Sequence, residues 1–160
     1  MTEEEKKFAI KINVDKAIIK TYGAFACITI SLLTYLVPII MGDFDFGIVF
    51  EIVSLVLLII AKLYMDKYDQ VASQRFVNYA MFSAGWIIVY DAISFITAIQ
   101  DAYDAAMFGY GFYIGEFFLI TYLADLFAIK NDLLKADNPE RYKESTDWFY
   151  EKYEDDENKK

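Results

Sequence analysis

Four apolar stretches, at residues 17–41, 46–65, 76–98 and 108–129, constrain this chain more than any other feature of it. Crossing the hydrocarbon core of a bilayer takes about 20 helical residues, and each stretch is of that order. A soluble fold has too little polar surface to coat four such helices in a chain of 160 residues. Composition agrees, since 57% hydrophobic and 18% aromatic content is high for a soluble domain. The expected fold is all-α: an antiparallel four-helix transmembrane bundle at 17–130, behind a charged leader at 1–16. An acidic tail follows at 131–160, with a short amphipathic helix near 139–153 opened by Asn138-Pro139-Glu140. The first stretch is longer than a signal-peptide core and ends without a small-x-small cleavage site, so it is expected to be retained.

Basic residues are confined to alternate segments. The leader has Lys6, Lys7, Lys11 and Lys16, the second connection has Lys67 and Arg75, and further lysines and Arg141 follow Lys130. The other two connections hold only acids, Asp43 and Asp45 in one, Asp101 and Asp104 in the other. By the positive-inside rule both termini are cytoplasmic. The expectation is a multi-pass protein of the plasma membrane.

What the chain lacks excludes much chemistry. A net charge of −9 is the reverse of a nucleic-acid footprint. With no histidine and only Cys27, there is no basis for a disulfide framework, a Cys/His zinc site or imidazole catalysis. No cofactor and no metal are expected. Tyr90-Asp91 resembles the first half of the intramembrane aspartyl protease signature, but the GxGD half would fall on Gly109-Tyr110-Gly111-Phe112, which ends in phenylalanine. No enzyme is expected.

At about 100° per residue, each span aligns small or polar residues on one stripe. The first carries Lys20, Gly23, Cys27, Ser31, Thr34 and Pro38, and the second Gly47, Glu51, Ser54, Leu58 and Lys62. The third carries Ala80, Ala84, Ile87, Asp91, Ser94 and Ala98, and the fourth Gly111, Gly115, Phe118, Tyr122 and Asp125. In lipid such stripes mark helix contacts, because small residues let backbones approach and hydroxyls bond across. Gly23, Cys27, Ala80, Ala84, Gly111 and Gly115 are the expected packing positions.

Charges within the spans need a reason, at about 2.5 to 3.5 kcal/mol each near the bilayer centre. Lys20, Lys62 and Asp125 lie near the cytoplasmic boundary, where an ion pair is expected. Glu51, Asp91 and Glu116 lie deeper, roughly 8 to 12 Å from the outer ends of their helices, with no basic residue at that level. They are candidates for binding a proton or a cation, or for neutral hydrogen bonding to hydroxyls such as Ser54, Ser94 and Thr34. Glu51 and Asp91 fall on the inward stripes, whereas Glu116 falls roughly 140° from Gly111.

In the tail, Tyr142, Trp148, Phe149 and Tyr153 form an aromatic stripe among acids, suited to an interfacial helix with its aromatics at headgroup level or to a cytoplasmic protein partner, which the acids favour. The other expected partners are the bilayer itself and a second copy or another membrane protein. These features suit a non-catalytic accessory, assembly or regulatory subunit. The alternative is a proton- or cation-handling transporter or channel subunit that uses the intramembrane carboxylates.

Overall fold

A computed structural model of the chain describes residues 2–40, 46–98 and 104–141. Thr2 and Glu5 start the first helix reciprocally. The Thr2 N–H donates to Glu5 Oε2 at 2.6 Å, and the Glu5 N–H donates to Thr2 Oγ1 at 3.3 Å, a capping box for donors that a helix start leaves open. Glu3, Glu4 and Glu5 also place negative charge on the positive end of the helix dipole. Helix α1 then runs as Glu3–Ile40, so the charged leader and the first apolar stretch are one continuous helix. Helices α2, Gly47–Met65, α3, Gln70–Ala98, and α4, Asp104–Asp137, complete an all-α architecture.

The turn between α2 and α3 has its own local chemistry. Tyr68 adopts φ 55°, a left-handed conformation that costs roughly 1–2 kcal/mol for a residue with a Cβ. Its hydroxyl donates to Asp15 Oδ1 on α1 at 3.1 Å, which ties the turn to the bundle. Asp69 caps α3 by accepting the Ala72 N–H at 3.0 Å. Beyond α4, Pro139 cannot continue a helix, and the Arg141 N–H closes a turn onto the Asn138 carbonyl at 3.2 Å. The rest of the tail helix expected over 139–153 lies outside the described residues.

The four helices pack as a ring, each against the helix before and after it, with α4 closing onto α1. Cross-links between them show that neighbours are antiparallel. Thr21 and Ser31 of α1 meet Met65 and Glu51 of α2, while Phe50 and Ser54 of α2 meet Ser83 and Ala80 of α3. Lys6, Lys20 and Ser31 of α1 meet Glu140, Asp132 and Gly115 in reverse order. Both described chain ends therefore lie at one end of the bundle, the terminal end; the opposite end is the far end.

Among the described residues, three helices, α1, α2 and α3, are long and apolar enough to cross a membrane. The 19 residues of α2 reach about 28 Å and the 38 of α1 about 57 Å. Since the α2–α3 turn meets α1 at Asp15, the first turns of α1 and the last of α4 run past it as a pair. A Lys6–Glu140 ion pair at 2.6 Å joins them.

Burial refines the stripes. On α2 the buried line includes Gly47, Glu51, Ser54 and Leu58, and on α3 it includes Ala80, Ala84, Ile87 and Asp91. On α1 the buried line is Ala17, Thr21, Ala24, Ile28 and Ser31, which keeps Ser31 of the expected stripe but replaces Lys20, Gly23 and Cys27 by the residues one position on. Gly23 is exposed and Cys27 half-buried. Reading only small residues as inward overlooked Ile28, a large side chain that fills space between helices. On α4 the line is Gly115, Leu119, Tyr122, Leu126, Ile129 and Leu133, leaving Phe118 and Asp125 half-buried. Gly111 lies on α4, but its surroundings are outside what the structure describes.

Candidate functional site

The most distinctive chemistry is a polar layer in the far half of the bundle, to which all four helices contribute. Glu51 is fully buried on α2. Its Oε1 lies 2.5 Å from Ser31 Oγ on α1, and the same Ser31 Oγ lies 3.3 Å from the Gly115 carbonyl on α4. Three helices are thus joined at one hydroxyl. The approach of α1 to α4 needs the absent side chain at Gly115, because a Cβ there would sit 2.7 Å from Thr34 Oγ1. Thr34 in turn donates to the Ser31 carbonyl at 2.6 Å.

A second link crosses the bundle diagonally. Ser54 Oγ on α2 donates to the Ala80 carbonyl of α3 at 3.0 Å. The Tyr122 hydroxyl of α4 lies 2.9 Å from Ser54 Oγ and donates to the Ser54 carbonyl at 3.3 Å. Ser83 of α3 donates to the Phe50 carbonyl of α2 at 2.9 Å. Serine on α2 and α3 thus bonds carbonyls of the facing helix, each a neutral bond worth about 1 kcal/mol.

Asp91 on α3 and Glu116 on α4 are joined by a side-chain hydrogen bond, with Glu51 near enough to act electrostatically on Glu116 and on Tyr122. All three deep acids therefore lie in one neighbourhood. Glu116, ambiguous from helical angle alone, is brought in because α4 meets α3 with Glu116 level with Asp91. Two carboxyls can share a hydrogen bond only when one carries a proton. Among the described residues no group of three or more acidic or cysteine side chains is arranged to hold a metal ion.

The charges nearer the terminal end pair differently from the sequence reading. Lys20 binds Asp132 at 2.5 Å, not Asp125. Asp132 lies seven residues beyond Asp125, which returns it to nearly the same face of α4, and that spacing could have flagged it. Lys62 binds Asp66 on its own helix at 2.7 Å, with its ammonium 5.7 Å from the Tyr22 ring centre. Asp125 faces Gly23 instead, its Oδ2 3.4 Å from where a Cβ on Gly23 would stand. Tyr142, Trp148, Phe149 and Tyr153 lie outside the described residues.

No protein-family model, curated protein or solved structure matches the chain.

Proposed function

We propose that the chain is a polytopic integral membrane protein with four transmembrane helices and both termini in the cytoplasm, acting as a non-catalytic accessory or assembly subunit. The observation that carries this reading is the inverted distribution of polarity. Large apolar side chains such as Ile19, Leu33, Ile59, Phe82, Ile93 and Phe117 are exposed, while Ser31, Glu51, Ser54 and Asp91 are buried. Continuous exposed apolar surface of this kind marks contact with lipid or another protein. Supporting the accessory role, Tyr122, Ile28, Leu58, Ile87 and Leu119 fill the space between helices with fully buried side chains. In this reading α4 is the fourth span, the membrane is the plasma membrane, and a second copy or another membrane protein packs on the apolar exterior. The acidic tail, through Tyr142, Trp148, Phe149 and Tyr153, docks a cytoplasmic protein.

A second reading, a proton-handling subunit, is favoured by the Asp91–Glu116 carboxyl pair beside Glu51. One reconstitution separates the two. In proteoliposomes under an imposed pH gradient, the accessory role predicts no proton or monovalent cation flux above that of empty vesicles. A flux abolished by Asp91→Asn would overturn it in favour of the second reading. Isolation from native membranes should yield stoichiometric partners by mass spectrometry, and truncation after Ala136 should release the cytoplasmic ones.

A further inference from the structure

We infer that Glu51 is held in the bundle as a neutral acid that donates its proton to Ser31, making the junction of α1, α2 and α4 a proton-dependent clasp. The protons available at one hydroxyl can be counted. Ser31 Oγ lies within hydrogen-bond distance of two oxygens, Glu51 Oε1 at 2.5 Å and the Gly115 carbonyl at 3.3 Å. A serine hydroxyl has one proton to give, whereas an ionised carboxylate and a carbonyl can only accept. If Glu51 were ionised, the single Ser31 proton would have to serve both acceptors, leaving the 3.3 Å contact to the Gly115 carbonyl no more than the weak arm of a three-centre bond. If Glu51 carries a proton, its O–H donates to Ser31 Oγ and the Ser31 O–H donates to the Gly115 carbonyl. Both contacts are then hydrogen bonds.

The surroundings point the same way. From α4, the ionisable groups near Glu51 are Glu116 and Tyr122. From α3 it is Asp91, bonded to Glu116. From α1 the described side chains at this level are the hydroxyls of Ser31 and Thr34, which do not titrate. A negative charge on Glu51 would therefore be added beside other acids, inside a layer where its side chain is fully buried. The count itself does not depend on whether lipid or water surrounds the bundle.

Removing the proton would draw the Ser31 O–H to Glu51 and cost the Gly115 carbonyl its bond from α1. The clasp thus couples the protonation of α2 to the packing of α1 on α4. Infrared difference spectroscopy on the purified full-length protein tests this, with protonated carboxyl groups recognised by their deuterium-sensitive carbonyl stretch. At neutral pH the parent should show such a band that is lost in Glu51→Gln and kept in Asp91→Asn. In Ser31→Ala it should move to higher frequency, because the Glu51 O–H has lost its acceptor. Glu51→Gln keeps the shape and a donor, so it should fold with the helicity of the parent. If it does not fold, the Ser31→Ala shift decides alone. An unshifted carbonyl band in Ser31→Ala, or a Glu51→Gln spectrum that loses only a carboxylate band, would overturn the inference. Neither result depends on whether flux or partners are found, so the proposed function stands or falls separately.

Discussion

The two halves of the bundle use opposite means to hold the same helices together. In the far half, the contacts are hydrogen bonds among hydroxyls, carboxyls and a backbone carbonyl: Ser31 with Glu51 and Gly115, and Asp91 with Glu116. In the terminal half, aliphatic side chains such as Val14, Ala17, Val77, Ile129 and Leu133 are fully buried, beside the buried polar residues Asn13, Thr21 and Ser73. There the charges form ion pairs in which at least one partner is exposed, Lys20–Asp132, Lys62–Asp66 and Lys6–Glu140. Neutral polar bonds deep in the bundle fix geometry closely, because a hydroxyl and a carbonyl must meet within a few tenths of an ångström. Ion pairs at the rim tolerate movement and are screened by water. Errors in the far half should therefore cost more than errors in the terminal half.

The largest expected effect is at the tightest approach of the far half. Gly115→Ala forces a methyl to within 2.7 Å of Thr34 Oγ1 and should destabilise the bundle by about 1 to 3 kcal/mol, read as a lower unfolding midpoint in detergent. Adding Thr34→Ala should recover most of that loss. Gly85→Ala is the control, because a Cβ there meets nothing within 4 Å; it should be neutral or gain up to about 1 kcal/mol from helix propensity. Equal losses at both glycines would erase the contrast between close and open helix faces.

A smaller effect is expected at the rim. Lys20→Met strips the cation from Asp132, whose side chain is only 7% exposed, but Lys20 is itself 40% exposed, so water screens much of the pair. A loss of about 1 kcal/mol is expected, with the double variant Lys20→Met, Asp132→Leu returning close to the parent in the same unfolding assay. A loss exceeding that of Gly115→Ala would reverse the ranking of the two halves.

The smallest effect concerns the overhanging ends of α1 and α4. The hydrogen bond and charge of Lys6 hold the Glu140 carboxyl below its ordinary range. A carboxylate lowered in this way stabilises the fold above its unfolded value, and the contribution is lost as pH falls through the lower folded value. The contact should thus be intact at neutral pH and fade below about pH 4. Amide exchange in the first turns of α1 should be slightly faster in Glu140→Gln than in the parent at pH 7. The difference should vanish in acid or in high salt. A difference that persists in acid would place the protection elsewhere than in this ion pair.

Much of the architecture was legible in the chain itself. Apolar runs of helical length located the four helices, because burying backbone donors and acceptors inside each helix is a local requirement that residue type and periodicity report. Short connections between the apolar runs implied that neighbouring helices run antiparallel. The α2 and α3 faces were legible too, since Glu51, Ser54, Ala80, Ala84 and Asp91 contrast sharply with the residues around them. The α1 face was not, because Ile28 faces inward and Gly23 outward, and only the packing partner decides which of two similar faces is buried. Register was beyond the sequence for the same reason. Whether Lys20 meets Asp125 or Asp132, and whether Glu116 lies level with Asp91, depends on how far antiparallel helices slide past one another. Hydrocarbon packing allows several such offsets, whereas the bonds among Ser31, Glu51 and Gly115, with the close fit of Gly115 to Thr34, are satisfied together at one.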